Sequence, residues 1–197
     1  MQLTGKITAD SLMTLEAYAK WRKAHKPEVI AHRKLRTVHL GDHVTLQFES
    51  ETTIRYQIQE MLRVERIFEE QGIQDELDAY NPLIPDGSNF KATMMIEYED
   101  VAERRAALAK LKGVEDRVWV RVEGCDRVYA IADEDLERET EEKTSSVHFL
   151  RFELTREMAA ALKYGVGLAV GVDHPAYTAA IDPLPAEQRA ALVRDLA

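Results

Sequence analysis

Between positions 44 and 85 the spacing of apolar residues changes from two to three-and-four, which predicts a strand followed by two helices. Val44, Leu46 and Phe48 alternate with Thr45 and Gln47, the pattern of a strand with one buried face. Glu49-Ser50-Glu51-Thr52 breaks the alternation, and Thr52 or Thr53 can cap the helix behind it. Along that helix Ile54, Ile58, Met61, Glu65 and Phe68 share one stripe, so Glu65 is expected among apolar neighbours. Gln57, Glu60, Val64 and Ile67 form the adjacent stripe, which sets Gln57 and Glu60 at the border of the core. A second helix over 73–80 aligns Ile73, Leu77 and Tyr80, with Glu76 beside them. Asn81-Pro82 ends it, because the residue before a proline avoids helical geometry.

The same reading places the other elements. A helix is expected from the possible caps at 8–10 to about residue 24, with Leu12, Leu15, Tyr18 and Trp21 or Arg22 inward; Pro27 then starts another, carrying Val29, Ile30 and Leu35. Positions 37–48 form a hairpin around Gly41-Asp42-His43, because only a three-residue loop sets Val38 and Leu40 opposite Leu46 and Val44. That register puts His39 outside and His43 at the tip. A strand over 91–98, a helix over 101–111 stopped by Gly113, and a hairpin of 118–122 with 128–131 follow. Residues 133–143 hold seven acids and two bases and are read as a solvated loop or exposed helix end. A strand over 145–154 then carries His148 on the face of Leu150 and Phe152. Helix 156–164, strand 166–172, the turn Asp173-His174-Pro175 and helix 185–196 complete the chain. The expected fold class is α+β, a largely antiparallel sheet with two hairpins packed by N-terminal, central and C-terminal helices. No repeat or linker divides it, so a single domain over 1–197 is expected, with a helical segment at 8–36 and a core at 37–197.

With 45% hydrophobic and 31% charged residues, the chain has material for an ordinary folded core. The net charge of −9 argues against a general nucleic-acid binder, which needs a basic surface. The charge is uneven. Positions 20–36 hold seven Lys or Arg against one Glu, a local +6 that leaves −15 for the remainder. This basic run either packs beside the acidic helices at 60–78 or forms an anion or partner site. A lone Cys125 excludes an intramolecular disulfide. With no signal-peptide pattern and no apolar run of membrane-spanning length, a cytoplasmic location is expected.

No phosphate loop, dinucleotide fingerprint, nucleophile elbow, Cys-x-x-Cys or His-Glu-x-x-His is present. The candidate chemistry therefore rests on Arg36, Glu49, Gln57, Glu60, Glu65, Glu76, Tyr80 and Asn81, polar groups set beside apolar faces. Such carboxylates are either neutralised by an arginine or converge on a cation or polar ligand. His25 and His32 lie among cations and read as surface residues, which leaves His148 and His174 as the histidines able to face a cleft. If a metal binds, Glu49, Glu60, His148 and His174 are the expected ligands, suited to iron, manganese or zinc.

The pattern Phe48-Glu49, Thr53, Gln57, Glu60-Met61, Glu65, Glu76, Tyr80-Asn81 and Leu83-Ile84-Pro85 resembles the bacterial family catalogued as domain of unknown function 3501. The likeness extends to Arg36, Gly41, Ala92-Thr93, Val147-His148 and the Asp-His-Pro-Ala-Tyr at 173–177. The resemblance supplies no activity. The family's genes are often found beside those of a rubrerythrin and an iron–sulfur oxidoreductase, which implies peroxide defence or redox metabolism and these two partners. Two functions are thus expected: an accessory or binding protein serving a redox partner, or a metalloprotein built on the Glu-rich cluster and a histidine of the C-terminal half.

Overall fold

The computed structural model describes residues 5–197; the first four positions of the domain expected over 1–197 lie outside the described residues. Helix α1 spans Leu15–Lys34 and strands β1 and β2 span Thr37–Leu40 and Val44–Phe48. Helices α2 (Glu51–Glu65) and α3 (Glu70–Tyr80) lead to β3 (Asn89–Ile96) and α4 (Val101–Lys110). Strands β4 (Val118–Val122), β5 (Val128–Tyr129), β6 (Ile131–Ala132) and β7 (Val147–Glu153) come next. Helix α5 (Arg156–Lys163), strands β8 (Leu168–His174) and β9 (Tyr177–Ile181), and helix α6 (Ala186–Val193) close the chain. The α+β architecture is as the pattern predicts, with every strand pairing antiparallel.

The strands divide into two sheets, ordered β1-β2-β3-β7-β6 and β5-β4-β8-β9. Alternation sends Phe90, Ala92, Met94 and Ile96 of β3, and Val118, Val120 and Val122 of β4, into one shared core. The sheets are joined at both edges. On one side the chain runs straight from β5 to β6, with Ala130 bonded back to β4, and so pairs first with one sheet and then with the other. On the other side the Tyr177 hydroxyl of β9 donates to the Leu40 carbonyl of β1 and accepts from the His43 amide at 3.1 Å. Gly41 is required at that contact: its φ is +67°, and a Cβ would stand 2.6 Å from the same hydroxyl. The result is a barrel-like shell around Phe48, Phe90 and Phe152, whose rings lie 6.1 and 6.2 Å from Phe48.

Helices α2 and α3 cover a second, smaller core of Ile7, Ile54, Ile58, Leu62, Leu77 and Ile84. The first hairpin has the expected register, Val38 opposite Leu46 and Leu40 opposite Val44. Other expectations are corrected. The break at Pro27 does not occur, and α1 is one helix with the proline inside it. Proline removes one bond of the helix ladder, the one to the Lys23 carbonyl, yet the helix continues through it. The cap of α2 is Ser50, which exchanges hydrogen bonds with Thr53 three positions on. A third hairpin, β8–β9, was not predicted: Tyr177–Ile181 is alanine-rich, so its strand signal is weak.

Arg36 ties these layers together. Its guanidinium donates to the carbonyls of Phe48 (3.0 Å), Glu49 (2.7 Å) and Ala191 (2.9 Å) and pairs with Asp195. The expected contact with the acidic helices is therefore corrected for Arg36, whose partner carboxylate comes from the C-terminus. Arg22 does meet that expectation, through Glu60. Arg36→Ala should cost about 3–5 kcal/mol in urea unfolding, because it leaves a buried carboxylate unpaired. Arg36→Lys should recover only a small part, since an ammonium cannot reproduce the planar fork. A loss below about 1 kcal/mol would mean the network contributes no more than an exposed pair.

Candidate metal centre

Strand alternation on β7 that buries Leu150 and Phe152 also turns His148 inward, at the end of the shell, where its exposure is 0%. Three segments close over it. The turn Val114–Arg117 before β4 brings Glu115, the residue following β6 is Asp133, and the approach to β7 supplies Thr144 and Ser145. Nδ1 of His148 lies 2.6 Å from Asp133 Oδ2, and an ionised carboxylate can only accept, so Nδ1 carries the proton. Nε2 faces three oxygens: the Ser145 carbonyl at 3.0 Å, Thr144 Oγ1 at 3.0 Å and Glu115 Oε2 at 3.9 Å; the carbonyl can only accept, so with no ion bound Nε2 also stands as a donor. Thr144 Oγ1 is 3.4 Å from the same Glu115 oxygen. Burial pushes the Glu115 carboxyl above its usual range.

Asp133 is held in place from both sides. Its φ of +50° lies in the left-handed region, which Asp tolerates better than most residues. Its amide donates to the Phe149 carbonyl at 2.8 Å and its Oδ1 accepts from the Phe149 amide at 2.9 Å. Arg138 reaches Asp133 at 3.2 Å and Asp135 at 2.6 Å while lying over the Phe149 ring, 4.6 Å from its centroid. Above the cluster is a cleft of about 470 Å³ whose rim includes Asp116, Asp135, Glu137 and Glu139. The run at 133–143 is a loop, as expected, but its first residue belongs to the interior.

The expected metal set does not assemble. Among the described residues, Glu115, Asp133 and His148 form the one group of three or more potential ligands within 4.8 Å of one another, so only His148 is retained. His174 is buried, but Nε2 donates to the Lys112 carbonyl (2.9 Å) and Nδ1 accepts from the Ala176 amide (3.1 Å), which leaves no free lone pair. Glu49 accepts from the hydroxyls of Thr53 and Thr93. Glu60 accepts from Tyr18 at 2.8 Å, Arg22 at 2.6 Å and Arg63 at 3.1 Å. This satisfied carboxylate is a helix–helix tie between α1 and α2, not an open ligand.

The polar cluster likewise separates into structural contacts. Glu65 is exposed: it is the last residue of α2, beyond the turn that packs Leu62. Phe68 is also exposed, so that stripe ends early. Gln57 is half-buried, as is Glu76, whose carboxyl is raised by burial and by the charges of Glu65 and Asp75. Tyr80 packs on the small core, and Asn81 clamps the Ile7 amide and carbonyl at 2.8 and 2.9 Å. Sequence periodicity missed Gln59, whose buried amide bonds both backbone groups of Met13. It also missed His32, which bonds Ser50 Oγ at 2.9 Å rather than lying on the surface. Glu115, Asp133 and Thr144 carry no sequence signal of their own, because Glu115 comes from the turn before β4 and Asp133 and Thr144 from opposite ends of the β6–β7 loop, and only the fold brings them to His148.

Burial opposes ionisation of Glu60, but hydrogen bonds from Arg22, Arg63 and Tyr18 hold its carboxyl at about 2, below the ordinary 4.5. A depressed carboxylate stabilises the fold fully above pH 4.5, and that contribution is lost as the pH falls toward 2. Glu60→Gln should therefore lower the urea midpoint at pH 7. Its difference from the wild type should shrink steadily through that acid window, and a constant difference would contradict the ion pair's role.

A search of curated proteins finds no match. Among solved structures, a protein from Burkholderia pseudomallei K96243, described as a novel protein of unknown function, is 59% identical with a TM-score of 0.92. The alignment covers 98% of this chain and all of that one. No helix among the described residues is long and apolar enough to cross a membrane. The family model described as protein of unknown function (DUF3501) matches residues 6–196, and the chain belongs to that family.

Proposed function

We propose that the protein is a metal-binding accessory protein that holds one divalent first-row ion at His148. The observation that carries this reading is the set of oxygens around Nε2. With bonds of about 2.1 Å, adjacent ligands of an octahedral ion stand about 3 Å apart and opposite ones about 4.2 Å apart. Separations of 3.0, 3.0, 3.4 and 3.9 Å among Nε2, Ser145 O, Thr144 Oγ1 and Glu115 Oε2 fall in that range. Asp133 then takes the orienting role by accepting from Nδ1, and binding releases the proton that Nε2 directs at the Ser145 carbonyl, which frees the Nε2 lone pair for the ion. The acidic cleft outside favours a cation over an anionic ligand. A histidine closed from solvent suits holding an ion better than meeting a substrate. One nitrogen among hard oxygens suits manganese or iron ahead of zinc. The redox setting that the resemblance implies makes iron or manganese the ion we expect, with a rubrerythrin or an iron–sulfur oxidoreductase as the protein served.

Metal analysis of the purified protein and calorimetric titration with Mn²⁺ and Zn²⁺ should give a single ion per chain. Glu115→Gln, which keeps side-chain shape, should abolish uptake, and Asp133→Asn should weaken it by about 10–100-fold. Circular dichroism serves as the fold control. Absence of uptake by the native protein, or full uptake by Glu115→Gln, would leave His148 as a hydrogen-bonded interior residue.

A further inference from the structure

Where α1, α2 and α6 meet lies a second, partly open cavity of about 410 Å³ that shares no lining residue with the acidic cleft. Its floor is built from buried polar groups, the Arg36 guanidinium and the Ser50 hydroxyl. Its walls are mixed. Leu35, Ile84 and Ala191 supply apolar surface, Arg194 supplies a guanidinium, and His32 lines the space with its Nε2 bonded to Ser50 Oγ.

The charges around this space do not cancel. Arg36 is paired with Asp195, and Glu51 is paired with Arg55. Arg194 pairs with no carboxylate among the described residues, so it leaves one surplus positive charge on the cavity. Glu51 and Thr52, whose amides in the first turn of the 15-residue helix α2 lack helical partners, line the same space.

We propose that this cavity binds a small organic monocarboxylate, its anionic end against Arg194 and its hydrocarbon body against Leu35 and Ile84. One surplus positive charge matches one negative charge. A phosphate dianion fits less well, because the carboxylates of Glu51 and Asp195 also border the cavity. The volume lies within the range of small-molecule sites, and the apolar wall gives a use for a hydrocarbon body that inorganic anions lack. The site is independent of the metal reading, since no residue of the His148 centre takes part.

The test is an amide-shift titration of the full chain with sodium butyrate, sodium benzoate and inorganic phosphate at constant ionic strength. Saturable shifts at Glu51 and Thr52 are expected with the carboxylates, and weaker ones with phosphate. Arg194→Ala, an exposed position whose loss leaves the core intact, should weaken carboxylate binding at least about tenfold, or 1.4 kcal/mol. No saturable shift with either carboxylate up to about 50 mM, a Kd no weaker in Arg194→Ala, or tighter binding of phosphate would each overturn the proposal.

Discussion

The arrangement of layers depends on one buried cation. Arg36 follows the end of α1 and directs its planar donors to the end of β2, to α6 and to Asp195 beyond it. Those partners lie 12 to 159 positions away, so the network forms only when the N-terminal hairpin and the C-terminal helix are both docked. A buried guanidinium without all of these acceptors would be strongly unfavourable, which makes the contact a condition on the fold more than a source of net stability. Its exclusion from water also creates the floor of the cavity between the helices.

A second constraint comes from closing two sheets into one shell. The β5–β6 strand belongs to both sheets, and Tyr177 joins the opposite edge. Closure leaves the ends of the shell to be sealed by loops, and loops carry polar residues. The sealed end therefore gathers Glu115, Asp133 and Thr144 around the one inward residue of β7 that is not apolar. Burial and mutual hydrogen bonding then fix the orientation and position of the His148 ring to a degree that no single segment could. The helical layer works differently. There Glu60, Asn81 and Gln59 each satisfy fixed partners, so polar groups beside the small core serve to hold helices and chain ends together.

Much of the fold was legible because local periodicity and turn chemistry decide it. The first hairpin followed from one argument about which loop length keeps Val38, Leu40, Val44 and Leu46 on one face. The positions of His39 outside and His148 inside followed from strand alternation. The misplacement of Glu65 shows the limit of such patterns: a stripe gives an angle around the helix axis, but not the point where the neighbouring core ends.

By itself the sequence determined the α+β class, the antiparallel pairing, most element positions and the inward face of His148, all of which depend on neighbours in the chain. Only the tertiary structure decided which polar groups meet. Glu60 was matched to Arg22, Arg36 to Asp195, and His148 to Glu115 and Asp133, across separations of 15 to 159 positions. A carboxylate's chemistry is set by the charges and donors within a few ångströms of it, and chain closure, not local spacing, brings those groups into place.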